Sequence, residues 1–300
     1  MYNQNPSQVF TTEHRSIPSF LNPAEDENID MVTVESFGEE WSKFKSFSND
    51  DIDAVAAQYF DVLDDSIINS DTIMADFGCG TGRWMKHFIG KAKLIVGIDP
   101  SKAIFIADKY LGNEKSVELC NASISNIPFP DNHFDFGMSI GVLHHIPDTQ
   151  QAMKDCVKKI KSGGHFYTYI YYSLDNRSPL FRTTWKLSNV IRLGVSKLPK
   201  GAKHLVCDSL AVLLYMPFIL TTRALRAVGV SKKVRSKIPL SFYENTSFYI
   251  IRNDSLDRFG TPLEQRFSKQ QIETMMKNCG LDNIRFSDGE PYWHVVGQKM

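Results

Sequence analysis

The chain is short of several things. It has no net charge, 34 basic side chains against 34 acidic ones in 300 residues, so no global field draws it to nucleic acid or membrane, and no nucleic-acid partner is expected. Its cysteines are few and scattered: Cys79, Cys120, Cys156, Cys207 and Cys279, with no CxxC pair and no zinc-finger spacing. That pattern excludes a disulfide framework, gives no metal site, and suits thiols in a reducing cytoplasm. The first residues lack a basic segment followed by an apolar core, so a secretory signal is not expected. The uncharged stretch 209–222, "SLAVLLYMPFILTT", falls short of the roughly 20 residues that span a bilayer. Pro217 is expected to interrupt it, and a buried helix is the default reading, a helix in the membrane interface the alternative.

What is present begins with a polar stretch, 1–30, which reads as a loose leader. Phe37, Trp41 and Phe44 follow at helical spacing. They suggest a helix that closes a site as a lid or, failing that, covers a sheet edge. An Asn/Asp cap signal at 49–51 then opens a second amphipathic helix. From residue 72 short β-branched runs alternate with helical periods: "TIMADF", "LIVGID", "VELCNA", "FDFGMSIG" and "HFYTYIYY" read as strands. Such alternation implies parallel strands joined by right-handed crossovers, an α/β layered fold. It breaks at 173 and resumes near 267, where Ser268 and Gln271 form a capping-box pattern and two last strands follow.

Three glycines in five positions, Gly78, Gly80 and Gly82, follow Asp76 where a strand should meet a helix. In a parallel sheet that turn lies at the carboxyl edge, where ligands bind. Glycine there permits positive φ and close approach of a ligand to the backbone. The spacing is G-x-G-x-G, not the G-x-G-x-x-G of dinucleotide folds, and no Gly-Lys-Ser/Thr run makes a phosphate loop. Asp76 repels anions and suits a cationic or amine-bearing ligand. Asp99, closing the next strand, is placed to accept both hydroxyls of a ribose. A nucleoside with a ribose diol and a positive amino-acid end fits, and S-adenosylmethionine has that shape.

These residues resemble the class I S-adenosylmethionine-dependent methyltransferases. "MADFGCGTGRW" is similar to the first motif of that family and "VGIDPS" to the second. "NASISNIPFPDNHFDF" resembles the adenine-contacting stretch, with Asn121 where Asp is usual, and "SIGVLHHIPD" the fourth motif. The resemblance runs through 72–172 and returns at 267–300. It implies a Rossmann-like, seven-stranded, mostly parallel sheet with an antiparallel C-terminal hairpin, an N-terminal helical lid and a helical insert. The division expected is 1–66 for leader and lid, 67–172 with 267–300 for the core, and 173–266 for the insert. It also implies S-adenosylmethionine as cofactor. Asp76, Gly78, Cys79, Gly80 and Gly82 would hold its methionine part, Asp99 and Pro100 the ribose side, Asn121 and Ala122 the adenine. Ser139, Ile140 and Gly141 would run below the sulfonium.

His144 and His145, past the fourth strand, are candidates for a general base, with one of them a structural cap in the bland reading. Tyr171 and Tyr172 should point to opposite faces. "SIGVLHH" stands where amide or base N-methylating relatives carry Asn-Pro-Pro-Tyr, which favours a small-molecule or lipid-like acceptor. A cofactor-binding regulatory protein without catalysis is the alternative. The insert is basic, about thirteen Lys/Arg against Asp175 and Asp208 over 173–239, whereas 24–76 holds about fifteen acids against Lys43 and Lys45. The two may be read as facing each other, as solvated faces of opposite sign, or the insert as facing anionic lipid or a phosphorylated substrate. Tyr243, Tyr249, Arg252 and Arg258 are within the insert and are candidates to reach the acceptor.

Overall fold

The computed structural model describes residues 2–22, 26–43, 55–176, 179–289 and 293–300. Phe44 and the cap signal at 49–51 lie outside these residues, as does the side chain of Trp41. The chain forms two compact units, Met1–Asn176 with Leu263–Met300, and Arg177–Pro262. The first unit therefore includes the N-terminal segment, and the second begins and ends a few residues inside the expected insert.

The first unit is built on a seven-stranded sheet. In chain order its strands are β3 (Ile73–Phe77), β4 (Leu94–Ile98), β5 (Val117–Cys120), β6 (Phe134–Ile140), β7 (Ile160–Tyr169), β8 (Leu281–Phe286) and β9 (Val295–Lys299). Their spatial order is β5-β4-β3-β6-β7-β9-β8, parallel except for β9, which runs antiparallel to both neighbours. The order reverses between β3 and β6, and that switch point opens a crevice at the carboxyl edge. Both faces are covered, so the central strands bury apolar residues on both sides rather than on every second residue. Along β3, Ala75 and Phe77 enter one buried cluster and Met74 the other. Helices α2 (Arg83–Phe88) and α3 (Ala103–Leu111) pack on the Met74 face through Trp84, Met85, Ile104 and Leu111. Helices α4 (Thr149–Lys158) and α10 (Lys269–Asn278) pack on the other through Met153, Val157, Ile272 and Met276. Asp148 caps α4 on the Gln151 amide, and Ser268 with Gln271 forms the capping box of α10.

The N-terminal residues are not a loose leader. Gln8–Thr11 (β1) and Ser16–Ser19 (β2) pair as a hairpin, and Ile17 and Phe20 are buried. The hairpin is anchored by Arg15, which donates to Asp108 Oδ1 at 2.9 Å and to the carbonyls of Val117 and Gly112. Ser19 bridges Asn121 beyond the end of β5. Helix α1 (Met31–Lys43) follows, with Asp30 accepting from the Val32 amide and the Thr33 hydroxyl. Acids of the 61–64 stretch meet partners within this unit. Asp61 takes His294 Nε2 at 2.7 Å and Ser287 at 2.6 Å, and Asp64 takes Arg285 at 2.6 Å.

The second unit is helical: α5 (Pro179–Val195), α6 (Lys200–Leu210), α7 (Met216–Ala227), α8 (Lys232–Arg235) and α9 (Phe248–Gly260). Pro217 does not interrupt it. Ala211–Tyr215 form a π turn between α6 and α7. This wider turn accommodates the missing proline N–H, so the helix runs on from Lys200 to Ala227. One stripe of this helix, Cys207, Ala211, Tyr215 and Ile219, is buried with Ile251 and Phe259 of α9. The rest is not the buried helix the default reading expected: Leu205, Val212, Leu213 and Leu220 are exposed. Arg252 pairs with Asp208 at 2.6 and 2.8 Å, and Arg258 lies over the Trp185 ring and donates to Ser188. Both arginines thus make pairs within the helical unit.

Candidate functional site

The glycine turn closes β3 onto β4. The Gly78 and Cys79 amides both donate to the Ile98 carbonyl, at 2.7 and 3.1 Å. All three glycines have positive φ, and at Gly78 (φ +82°) a Cβ would lie 2.5 Å from Val142 Cγ2. At Gly78 only glycine fits, because the Val142 side chain already fills the space. Gly80 donates its amide to Asp99 Oδ2 at 2.9 Å, so the turn and the β4 tip share one side of the sheet.

The two acids differ in how they are held. Asp99 Oδ1 accepts from the Ser101 amide at 2.8 Å and its hydroxyl at 2.6 Å. With the Gly80 bond, three of a carboxylate's roughly four acceptor positions are taken. Burial pushes Asp99 up, while the Ser101 and Gly80 bonds oppose it. Asp76 is also buried, yet among the described residues neither of its oxygens has a partner. Burial first, and then the Asp99 charge, push it up to about 8, with Arg83 pulling the other way. Such a group destabilises the fold unless something compensates it. Once ionised, a buried carboxyl with both oxygens open matches the ammonium of an amino acid. The residues present therefore fit the cofactor implied by the sequence.

Cys79 is buried, and burial with the two nearby acids drives its thiol well above the ordinary range, so it is inert. Pro100 is half-buried behind Asp99. Asn121 is clasped: its Nδ2 donates to the Asp99 carbonyl at 2.9 Å, and its Oδ1 accepts from Ser19 at 2.8 Å. One amide hydrogen and one lone pair remain on that side chain. Ala122 is fully buried in the core. Ser139 is buried and donates to the Phe77 carbonyl, which locks β6 to β3. Ile140 packs in the core on the Met74 face. Gly141, at φ +75°, has open space where a Cβ would be.

Past Gly141 stand the two histidines. His144 is fully buried, and burial, then His145 and Arg266, hold its pKa well below the usual value. Its Nδ1 accepts from the Tyr171 amide at 3.4 Å, which puts the ring proton on Nε2, and Nε2 has no partner among the described residues. His144 is thus a neutral hydrogen-bond donor rather than a base. His145 donates from Nδ1 to the Leu263 carbonyl at 2.6 Å, which leaves the lone pair on Nε2. Of the two, His145 has the tautomer of a proton acceptor.

Helix α1 crosses this edge. Phe37 meets the His145 ring at 4.8 Å, and Gly38 packs against Ser101 and Lys102, 3.3 Å from the Lys102 amide nitrogen for an added Cβ. Beneath it the rings continue without a break. His145 lies 4.0 Å from His144, which stacks on Tyr171 at 3.9 Å; Tyr169 follows at 5.8 Å, Tyr59 at 5.3 Å and Trp84 at 4.8 Å. Tyr172 turns away to Trp293. Sequence reasoning left out Tyr59, Trp84 and Tyr169. Trp84 stands in the glycine motif itself and Tyr169 one alternation before Tyr171, so a period-two reading of β7 extended by one pair reaches the latter.

The sheet unit thus presents a switch-point crevice with a glycine turn, two buried acids and an aromatic flank. Over its central part the chain is similar to S-adenosylmethionine-dependent methyltransferases. Residues 75–168 match the family described as a methyltransferase domain. A demethylmenaquinone methyltransferase of Bacillus licheniformis is 34% identical over 94 residues, 30% of this chain and 40% of that protein. Its counterpart in Listeria welshimeri is 32% identical over 108 residues, 32% of this chain and 44% of that protein. The chain thus spans about two-fifths of the length of the curated relatives it matches. The crystal structure of human N-acetylserotonin methyltransferase with S-adenosylmethionine shares the fold, with TM-score 0.50 and 13% identity over 88% of this chain and 56% of that one.

Proposed function

We propose that the protein transfers a methyl group from S-adenosylmethionine to a small, lipid-like acceptor that carries an aromatic hydroxyl, a quinol being the example. The unpartnered, buried carboxylate of Asp76 is the observation that carries the cofactor half of this reading. The unbroken file of rings from His145 to Trp84 supports the acceptor half, since flat rings favour offset or edge-on neighbours. The quinone acceptor named for the Bacillus and Listeria relatives supports the same class.

When bound, the cofactor supplies a methyl made electrophilic by its sulfonium. Asp76 pairs with the ammonium at the amino-acid end, and the glycine turn lets that end approach the backbone. Asp99 accepts a ribose hydroxyl at its remaining position on Oδ2. Asn121 and Ala122 border adenine, with Asn121 offering its second amide hydrogen. His145 takes the acceptor's proton at Nε2 while Leu263 holds its Nδ1, and His144 donates from Nε2 to the acceptor oxygen. Helix α1 excludes water over them. Holding nucleophile and methyl in line accounts for roughly 7–11 kcal/mol of barrier reduction.

The test offers labelled S-adenosylmethionine and a panel of quinols, simple phenols and amines to the wild-type protein and to Asp99→Ala. Label in a quinol or phenol with wild type only is expected. Tight cofactor binding by calorimetry with no label in any acceptor would favour the binding protein without catalysis. Unchanged affinity in Asp99→Ala would remove the ribose assignment.

A further inference from the structure

The helical unit Arg177–Pro262 carries a surface that its own fold does not explain. Among the described residues 20 large apolar side chains are exposed, and all but Val9, Val32, Val55 and Met300 belong to this unit. They are ordered. On α5, Leu187, Val190 and Ile191 form one stripe at i, i+3 and i+4. On the long helix Lys200–Ala227, Leu205, Val212, Leu213 and Leu220 form another, opposite the stripe buried with α9. A surface helix of a soluble domain is polar on the side away from its core. This one is apolar on both.

The charges around these stripes are of one sign. Residues 177–262 hold fifteen Lys and Arg against four acids, Asp208, Glu244, Asp254 and Asp257. Asp208 is held by Arg252 at 2.6 Å and Glu244 by Arg235 at 3.0 Å. Asp254 accepts from Tyr215 at 3.0 Å. Lys186, Lys197, Lys200, Lys232, Lys233 and Lys237 are exposed. We propose that this face docks on an anionic lipid bilayer, with the Lys200–Ala227 helix lying in the headgroup plane. The apolar stripe enters the acyl boundary while lysines reach the lipid phosphates on their own stems. The half-exposed Asp208 is neutralised by Arg252, so the described face stays net basic and matches a surface of negative charge.

The same helix is long and apolar enough to cross a membrane by length and composition. Lying flat is favoured by its other stripe. Cys207, Ala211, Tyr215 and Ile219 are packed in the unit's core, Asp208 is tied to Arg252, and Arg223 donates to the Glu244 and Thr246 carbonyls. Spanning would strip those contacts and dehydrate the ion pair.

The test is co-sedimentation of the full chain with vesicles of phosphatidylcholine alone or mixed with phosphatidylglycerol. Binding to the mixed vesicles is expected to be at least about tenfold stronger and to be released by alkaline carbonate. Leu213→Glu with Leu220→Glu should weaken it by about tenfold or more, since apolar burial drives insertion. Lys232→Glu with Lys233→Glu should abolish the preference for anionic lipid. Unchanged helical circular dichroism and unchanged cofactor affinity show that these variants fold. Equal retention on both vesicle types, or wild-type retention of the double leucine variant, overturns the proposal. So does carbonate resistance, which marks a spanning helix. Self-association that the leucine variant abolishes, without vesicle binding, assigns the face to a second copy and overturns it as well. None of these readouts uses methyl transfer, so their failure leaves the proposed function standing.

Discussion

The two units depart from ordinary burial in opposite directions. Among the described residues, the sheet unit keeps a carboxyl, Asp76, inside with no partner, and an imidazole nitrogen of His144 likewise. The helical unit keeps leucines and valines exposed among the described residues. Apolar side chains in water are common singly, and buried polar groups are nearly always satisfied, so both a run of the first and a pair of the second call for a reason beyond folding. In the sheet unit the unmet need is for a cation and an acceptor oxygen. In the helical unit it is for an apolar phase. Each departure marks where something from outside completes the molecule.

Replacing Asp76 should separate stability from binding most sharply. Asp76→Asn is expected to lower cofactor affinity by about 100-fold or more by calorimetry, the effect of removing one side of a buried charge pair. The ligand-free variant should melt higher than wild type at pH 8.5. The sign follows from the raised folded-state value of about 8 against an ordinary 3.8. The folded state binds more protons, so the stability from this group is full below about pH 4 and is lost as pH rises to about 8. Cofactor affinity in wild type should move the other way, rising with pH up to about 8, because a cation binds the ionised carboxylate. Affinity that is flat from pH 6 to 8 would show that Asp76 is not the group that meets it.

Gly78→Ala is expected to cost about 2–4 kcal/mol in urea unfolding, from the clash with Val142 and the left-handed backbone together. Adding Val142→Ala should recover the clash but not the backbone part. A near-neutral Gly78→Ala would mean that the β6 loop yields. His145→Gln should lower kcat by about 100-fold while cofactor affinity stays within about twofold, if the acceptor must lose a proton. Loss confined to KM would make His145 a binding residue instead. The smallest effect belongs to the helical unit. Arg252→Ala should change stability by less than about 1 kcal/mol, since both partners of the Asp208 pair are nearly half exposed. A larger loss would show that pair to be a structural post.

The sheet's strands and its site turn were legible because their constraints are local. Glycine at positive φ, an acid at a strand tip and a capping box are each encoded within a few neighbouring residues. The β1–β2 hairpin was not, since its strands are four residues long and its clasp joins Ser19 to Asn121, 102 residues away. Pro217 misled because a proline in a helical run usually breaks it, whereas a π turn ahead of it absorbs the missing hydrogen bond. Arg252 was drawn toward the acceptor by its type alone, when Asp208, one helix away, had claimed it. The exposure of the long helix was illegible for a related reason: an uncharged run reads as interior unless the number of neighbours available to cover it is known.

The Leu263 carbonyl that receives His145 Nδ1 stands at the point where the chain comes back from the helical unit. The protonation pattern of that imidazole is consequently wired to the end of an eighty-six-residue excursion, Arg177 to Pro262. Excising the excursion and splicing its ends would join new chain directly to the residue that supplies this oxygen. A shortened protein could keep its nucleoside cradle intact and still have its proton on the wrong nitrogen.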